Sequence, residues 1–207
     1  MKPDRLTLQK RYDRLAPFFD VLTAMMEGLS FKTWRQRLWN KVDKDAYHIL
    51  EVGVGTGKNF AYYPGYAQIT AIDFSAEMLE HAQQKRDKLS TKVELYPMDV
   101  ESLCFADNSF DVVVASFVFC SVPHPLKGLK ELYRVCKPGG QVILLEHVIS
   151  THPMLAWFMQ RINPLVLFFF GANINRNTVK HVKSCAFTKV HIDERSQGLI
   201  KLIEARK

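Results

Sequence analysis

The chain has 207 residues, enough for one sizeable domain with a buried core. Its composition, 47% hydrophobic and 24% charged, is that of a globular protein and excludes a disordered, collagenous or coiled-coil chain. The net charge of +7 predicts an anionic partner, such as nucleic acid or a membrane surface. The charge is unevenly distributed: residues 1–45 carry +4, residues 46–175 carry −2 and residues 176–207 carry +5.

The first segment, residues 1–45, is predicted to be an N-terminal helical lid on a main domain formed by residues 46–207. Its first twenty residues lack the apolar core of a secretion signal. No uninterrupted apolar run in the chain reaches the length of about 18 residues that a membrane-spanning helix needs. The four cysteines form no CxxC pair, so we expect no metal site, no disulfide framework and a reducing, cytoplasmic environment. The protein is therefore expected to be soluble or to lie on a membrane.

The middle of the chain alternates between short strands and amphipathic helices. The predicted strands, rich in Val, Ile and Leu, are His48–Gly53, Ile69–Asp73, Val93–Met98, Asp111–Ser116 and Gln141–His147. The predicted helices are Ala76–Leu89 and Pro125–Cys136, and the run Lys137-Pro138-Gly139-Gly140 is expected to end the second helix. This alternation predicts an α/β fold with a doubly wound, mostly parallel sheet.

The last part of the chain departs from this alternation. An insertion, residues 150–187, contains the almost wholly apolar stretch Met154–Phe170, which Pro164 is expected to split in two. Two segments of period two, Lys189–Arg195 and Leu199–Arg206, flank Ser196-Gln197-Gly198. This pattern predicts a hairpin that gives a seven-stranded sheet an antiparallel C-terminal edge.

A glycine-rich loop, Glu51-Val52-Gly53-Val54-Gly55-Thr56-Gly57, follows directly after the first strand. Alternate glycines let the backbone turn sharply and approach a ligand without interference from Cβ atoms. A Walker phosphate loop is excluded, because only three residues separate Gly53 from Gly57 and Asn59 follows Lys58. The dinucleotide fingerprint GxGxxG also fails, since Lys58 occupies the sixth position.

This loop resembles the first motif of class I S-adenosylmethionine (SAM)-dependent methyltransferases. Asp73 ends the second strand, where its carboxylate could accept hydrogen bonds from ribose hydroxyls. Asp99 follows the third strand, at the position where the acidic residue of this family meets the adenine amino group. The resemblance implies a Rossmann-like fold and SAM as cofactor. The candidate cofactor residues are Glu51, Gly53, Gly55, Gly57, Asp73, Phe74, Met78, Asp99, Val100, Ser116 and Phe117.

Two further resemblances concern the acceptor of the methyl group. The segment from Arg11 to Asp20, RYDRLAPFFD, is similar to that of ubiquinone/menaquinone C-methyltransferases and of bacterial phosphatidylethanolamine N-methyltransferases. From Phe119 onward the chain resembles animal alkyl-thiol methyltransferases, although those proteins carry Cys where this chain has Ala172. The number of methyl groups added and the acceptor atom, nitrogen, sulfur or carbon, stay open.

Several polar residues are candidates for catalysis and substrate binding. His147, at the end of the fifth strand, has a suitable pKa for a general base, although it could equally be a structural histidine. Tyr12 lies in the predicted lid, where it could orient an acceptor or simply anchor the first helix. Asn173, Asn175 and Arg176 follow the apolar stretch of the insertion and are candidate ligands of an acceptor head group.

The apolar residues of the insertion exceed what one face of a covering helix requires. Together with the basic ends, they favour peripheral docking on an anionic membrane surface, on the inner, cytoplasmic face. A buried cap on the pocket or a dimer interface is the alternative, and the oligomeric state stays open.

These observations predict a methyltransferase for a small lipophilic or membrane-resident acceptor, with a phospholipid amine as the leading candidate. Alkyl-thiol S-methylation, quinone-precursor C-methylation and a SAM-binding regulatory protein are the alternatives. We expect no nucleic-acid partner, because basic and aromatic residues are not interleaved on the strands.

Overall fold

The structure, a computed structural model, describes residues 5–89, 91–193 and 198–207. Its helices are α1 (Arg5–Met26), α2 (Lys32–Trp39), α3 (Ala76–Leu89), α4 (Pro125–Val135), α5 (Pro153–Phe170) and α6 (Thr178–Lys183). A π-helical turn, Glu27–Phe31, joins α1 to α2, and a short 3₁₀ turn covers Phe60–Tyr62. The strands are β1 (His48–Val52), β2 (Gln68–Asp73), β3 (Val93–Pro97), β4 (Phe110–Ser116), β5 (Cys136–His147), β6 (Lys189–Ile192) and β7 (Ile200–Arg206).

The strands form one seven-stranded sheet in the order β3-β2-β1-β4-β5-β7-β6. The first five strands are parallel, and β7 pairs antiparallel with both β5 and β6. The predicted doubly wound sheet with an antiparallel edge is confirmed. The strand order reverses direction between β1 and β4, and in such sheets a ligand binds outside the carboxyl ends of the strands at this point.

The sheet is buried on both faces, because successive side chains of each strand point to opposite sides. On one face, Leu50 and Val113 pack with Leu129 and Leu132 of α4. On the other face, Ile49 packs with α2 and α3. Burial on both faces explains why β1, β2 and β4 are apolar along most of their length, whereas the edge strands β3 and β6 have exposed polar side chains.

Two sequence predictions need correction. Helix α4 ends at Val135, and β5 begins at Cys136, five residues before the predicted start. Phe110 of β4 pairs with Cys136, and the register then shifts before Val112 pairs with Gln141. The run from Lys137 to Gly140 is therefore an irregular part of the strand, where the extra residues are accommodated as a bulge.

The second correction concerns Pro164, which does not split the insertion: α5 is one helix that contains it. A proline removes one intrahelical hydrogen bond, but the turns on either side can keep theirs. The helix ends at Gly171, whose φ of +71° is favourable for glycine alone. Residues 194–197, which include the end of the predicted strand Lys189–Arg195 and the first two residues of the predicted hairpin turn, lie outside the described residues. Within the described ranges, no helix has the length and apolarity needed to cross a membrane.

Candidate active site

A cavity lies at the carboxyl ends of β1, β2, β3 and β4 and is closed on one side by α1. Nine of the eleven predicted cofactor residues line it: Gly53, Gly55, Asp73, Phe74, Met78, Asp99, Val100, Ser116 and Phe117. Helix α1 contributes Arg5, Leu8, Tyr12 and Phe19 to the wall. Glu51 and Gly57 are the two predicted residues that are not part of the lining. The fold therefore brings together residues that are separated by more than sixty positions in the chain.

The glycine loop shows why side chains are excluded from it. Gly53, Gly55 and Gly57 all have positive φ, at +68°, +55° and +76°. A Cβ atom at Gly53 would approach Val118 to 2.4 Å, and one at Gly57 would approach the ring of Phe60 to 2.5 Å. At Gly55 the corresponding space is open and belongs to the cavity. Gly55 thus leaves room for a ligand that contacts the backbone closely.

The carboxylate of Asp73 stands at the end of β2 and faces the loop. One of its oxygens, Oδ2, accepts a hydrogen bond from the Gly55 N–H at 2.8 Å, and Oδ1 accepts one from the Ser75 N–H at 3.0 Å. Burial raises the pKa of Asp73 to about 6, against the lowering effect of these bonds. Since each carboxylate oxygen has two lone pairs, both can still accept a bond from a ligand hydroxyl.

Asp99 occupies the corresponding position after β3. Its Oδ1 accepts a hydrogen bond from the Glu101 N–H at 2.8 Å, and Oδ2 forms an ion pair with Arg5 of α1 at 3.0 Å. The neighbouring walls are the apolar side chains of Met78 and Val100, both buried. A flat, apolar ring system could therefore lie between these walls, with the Asp99 carboxylate as a hydrogen-bond acceptor at its edge.

Glu51 lies in β1, two residues before the first glycine of the loop. It is fully buried and accepts hydrogen bonds from the Asn59 amide and the Tyr63 hydroxyl. Burial raises the pKa of Glu51 to about 7. The Asn59 amide also donates to Ser116 Oγ at 2.9 Å, so the network links β1 to the end of β4.

Arg35 of α2 is a site residue that the sequence did not reveal. Its guanidinium lines the cavity and donates to Ser116 Oγ at 2.9 Å and to Asn59 Oδ1 at 3.1 Å. The same group pairs with Glu27 at 3.0 Å and lies 5.3 Å from the centre of the Phe117 ring. No local pattern distinguishes Arg35 from other basic residues of the first segment, because its position depends on how α2 packs on the sheet.

Helix α1 lies over the cavity and forms hydrogen bonds with the segments that follow β2 and β4. Tyr12 Oη lies 2.5 Å from Ser121 Oγ, and its ring packs edge-on against Phe74. Burial raises the pKa of Tyr12 far above its ordinary value, so its hydroxyl keeps its proton. The Ser75 hydroxyl donates to Asp13 at 2.6 Å. Ser121, which lies in the turn after β4, is a second cavity residue that sequence reasoning missed.

The other predicted polar residues lie away from the cavity lining. His147 is half-buried at the end of β5, where burial lowers its pKa. Asn175 is also half-buried outside the lining. Asn173 and Arg176 instead bond the backbone of the turn after β4: Asn173 Nδ2 donates to the Cys120 carbonyl at 3.0 Å and Arg176 to the Phe119 carbonyl at 2.7 Å. The structure therefore gives these four side chains no direct contact with the cavity.

In the part of the chain that the structure describes, no group of three or more His, Cys, Asp or Glu side chains could hold a metal ion. The cavity fits SAM instead. It offers an open backbone approach at Gly55, a carboxylate with free lone pairs at Asp73, and an apolar slot beside Asp99.

Comparison with known proteins agrees with this geometry. Residues 50–144 match the family described as a methyltransferase domain. The chain is 40% identical over 115 residues to a phosphatidylethanolamine N-methyltransferase of Cereibacter sphaeroides, covering 55% of this chain and 57% of that relative. It is 35% identical over 146 residues to a ubiquinone/menaquinone biosynthesis C-methyltransferase of Geotalea daltonii, covering 67% and 62%. The matches thus span about three fifths of these two relatives.

A third relative is matched over most of its length. This is a thiol S-methyltransferase of Homo sapiens, 32% identical over 193 residues, covering 85% of this chain and 76% of the relative. The chain belongs to the class I SAM-dependent methyltransferases, and SAM is its cofactor.

Solved structures share the same fold. A [4+2]-cyclase superposes with a TM-score of 0.79 at 16% identity, covering 100% of this chain and 97% of the other. A Haemonchus contortus phosphoethanolamine N-methyltransferase in complex with SAM gives a TM-score of 0.66 at 14% identity, covering 84% and 52%. At such identities these similarities concern the fold alone.

Proposed function

We propose that this methyltransferase acts on a lipophilic, membrane-resident acceptor, and that the acceptor is a phospholipid amine such as phosphatidylethanolamine. The observation that carries the proposal is where α5 ends. Its last residues, Phe168, Phe169 and Phe170, are 68%, 61% and 52% exposed. The next residue, Gly171, lies against Leu8 and Tyr12 of the cavity wall. A Cβ atom placed on Gly171 would lie 3.3 Å from a side-chain carbon of each. An apolar surface therefore begins beside the cavity, where an acyl chain could remain while the head group enters.

Further large apolar side chains are exposed on both α1 and α5. Phe18, Val21 and Leu22 are more than half exposed, as are Trp157 and Phe158 on α5. Arg11 and Arg161 lie over the rings of Phe168 and Trp157, at 6.0 Å and 5.1 Å from the ring centres. Aromatic rings combined with cations suit the head-group layer of an anionic membrane. We therefore place the enzyme at the inner, cytoplasmic membrane face, with residues 150–187 as its membrane-facing insertion.

The cofactor residues take the following roles in this proposal. Gly53, Gly55 and Gly57 shape the loop around the methionine part of SAM, supported by Glu51, with Ser116 and Phe117 on the other side. Asp73 accepts hydrogen bonds from the ribose hydroxyls beside Phe74. Asp99 accepts one from the adenine amino group, between Met78 and Val100. When bound, SAM supplies an electrophilic methyl group for in-line displacement by a lone pair of the acceptor.

The protein itself aligns the acceptor and removes water. The Tyr12 and Ser121 hydroxyls lie within hydrogen-bond distance of each other and line the cavity, so they could accept N–H bonds from an amine and orient its lone pair. The predicted lid, residues 1–45, would close over both substrates. Transfer of an ammonium group from water into this apolar cavity lowers its pKa and favours the neutral, nucleophilic form.

Thiol S-methylation is the second candidate. The observation in its favour is the match to the human thiol S-methyltransferase, which extends over 85% of this chain, more than the matches to the phosphatidylethanolamine and quinone enzymes cover. Carbon methylation of a quinone precursor is the third outcome that the experiment must separate.

The test incubates the purified full chain with methyl-labelled SAM in three parallel reactions: aminophospholipid vesicles, a small alkyl thiol, and a total lipid extract. We expect label in the monomethylated and dimethylated aminophospholipids, and none with Asp73→Ala, which should lose the cofactor. Label in the thioether alone, or in a quinone fraction of the extract, would overturn the phospholipid proposal and identify the other acceptor.

A further inference from the structure

The turn that follows β4, residues 117–123, forms one side of the cavity and has an unusual backbone. Phe117 leaves the strand with a φ of +59°, a left-handed conformation that is costly for a residue with a large side chain. Phe117, Val118, Ser121, Val122 and Pro123 all line the cavity. A strained turn persists only where its surroundings hold it in place, and this turn is held by three residues outside the cavity.

Glu146 of β5 holds the first half of the turn. One carboxylate oxygen, Oε1, accepts hydrogen bonds from the N–H groups of Val118 at 2.9 Å and of Phe119 at 3.0 Å. The side chain is completely buried. Burial raises the pKa of Glu146 to about 7, against the lowering effect of these bonds and of the nearby Arg176 cation.

The insertion holds the second half of the same turn. Arg176 donates from one nitrogen to the carbonyls of Phe119 and Val122, and it is itself 9% exposed. Asn173 donates to the Cys120 carbonyl from both its backbone N–H and its side-chain amide, at 2.8 Å and 3.0 Å. Buried Glu146 thus accepts hydrogen bonds from N–H groups of this turn, and buried Arg176 donates to its C=O groups. Neither side chain lines the cavity.

We propose that Glu146 and Arg176 are positioning residues: they hold the turn after β4 so that Ser121 meets Tyr12 and the pair aligns the acceptor. Two of the three residues that the sequence assigned to the substrate, Asn173 and Arg176, therefore contact this turn and not the cavity. The inference requires the methyltransferase class but not the particular acceptor proposed above.

The first test uses hydrogen–deuterium exchange and needs no acceptor. In Glu146→Ala, loss of the acceptor for two buried N–H groups should raise exchange of residues 117–123 about tenfold, with a smaller rise around Tyr12 in α1. Arg176→Met should raise exchange in both regions as well. Glu146→Gln keeps one oxygen that can accept both bonds and should behave like the unchanged protein. Unaltered exchange of residues 117–123 in Glu146→Ala would overturn the proposal.

Asp111 provides a matched control. One of its oxygens, Oδ2, also accepts two consecutive N–H groups, those of Tyr47 at 3.1 Å and His48 at 2.8 Å, and it pairs with Lys137. These contacts lie at the opposite end of the sheet from the cavity. Asp111→Ala should therefore raise exchange near residues 47–48 and leave the turn after β4 and α1 unchanged.

The second test measures turnover with whichever of the aminophospholipid and thiol acceptors the unchanged enzyme methylates. Glu146→Ala and Arg176→Met should lower kcat/KM for the acceptor about tenfold or more, while the Kd for SAM changes less than about threefold. Glu146→Gln should restore turnover, and Asp111→Ala should retain it. Equal losses of acceptor turnover and SAM affinity would show a merely structural role. If no acceptor is methylated, the proposed function fails while the exchange experiment still decides this inference.

Discussion

Asp73 combines two tasks at the residue scale, since it fixes the Gly55 N–H and presents free lone pairs to the cavity. We expect Asp73→Ala to weaken SAM binding about 100-fold, because each hydrogen bond to a charged group is worth roughly 1.5–3 kcal/mol. Isothermal calorimetry checks this. Asp107→Ala is the control, because that carboxylate is exposed and pairs with Arg134 outside the cavity. Full SAM affinity in Asp73→Ala would contradict the ribose assignment.

Tyr12 and His147 differ in what they can contact. Tyr12 lines the cavity and His147 does not, so we expect Tyr12→Phe to lower kcat about tenfold and His147→Ala to lower it less than threefold. Both variants should bind SAM with unchanged affinity, which calorimetry can verify alongside the turnover assay. Loss of turnover in His147→Ala with intact SAM binding would instead support the sequence-based prediction that His147 is the general base.

At the scale of elements, α1 depends on polar contacts with the loops of the sheet. Asp20 accepts hydrogen bonds from Thr56 at 2.6 Å and Lys85 at 2.9 Å, and Thr56 belongs to the cavity wall. We expect Asp20→Asn to loosen α1 and to raise its tryptic cleavage about threefold, more so at low salt, where ion pairs count most. Asp87→Asn is the control, because Asp87 pairs with its neighbour Arg86 on α3. Equal cleavage rates would argue against a lid held by these contacts.

The elements of the sheet could be predicted because their physical causes are local. Apolar runs correspond to β1, β2, β4 and the second half of β5, since strands covered on both faces need apolar side chains, and a shorter run corresponds to the edge strand β3. The glycine loop could also be predicted from the sequence. Each of its glycines has a positive φ, a conformation that favours glycine, so the residue type itself reports the backbone geometry. The early start of β5 was missed, since a bulge of Lys, Pro and Gly residues has the composition of a turn.

The contacts between elements could not be predicted in the same way. Arg35 reaches the cavity through the packing of α2, and Ser121 does so through the fold of the turn after β4. Nothing in the sequence around either residue distinguishes it. Arg176 was a candidate ligand of the acceptor head group because it follows an apolar stretch, but the direction of its side chain depends on the fold of the insertion. It points to the backbone of the turn after β4, not into the cavity.

At the scale of the whole molecule, the distribution of charge and the exposed apolar surface both agree with the proposed docking on an anionic membrane. The sheet region carries no positive excess, because residues 46–175 sum to −2. The positive charge lies in the first segment, which contains α1, and in residues 176–207. The surplus of the first segment lies beside the cavity, because α1 forms one of its walls, whereas Arg206 and Lys207 lie at the opposite end of the sheet. The charge of the first segment is therefore the part that supports the proposed anionic membrane as the source of the acceptor.

Vesicle co-sedimentation tests this docking. We expect binding to vesicles rich in anionic phospholipid, weaker binding to neutral vesicles, and about tenfold weaker binding for Phe168→Ser combined with Phe169→Ser, because two large apolar side chains are lost. Tyr66→Ala is the control, an exposed aromatic beside the start of β2, away from α5. Binding that ignores anionic lipid would argue for a covered interface on α5 instead.

The position of β7 also has a consequence for biosynthesis. This strand lies between β5 and β6 and pairs with every residue from Gln141 to His147, although it is formed by residues 200–206. On the ribosome, the edge of β5 stays open until these residues have left the exit tunnel, so the sheet cannot be completed before then. A translational pause between the synthesis of β5 and the release of β7 from the tunnel would prolong the lifetime of that open edge and, with it, the opportunity for aggregation.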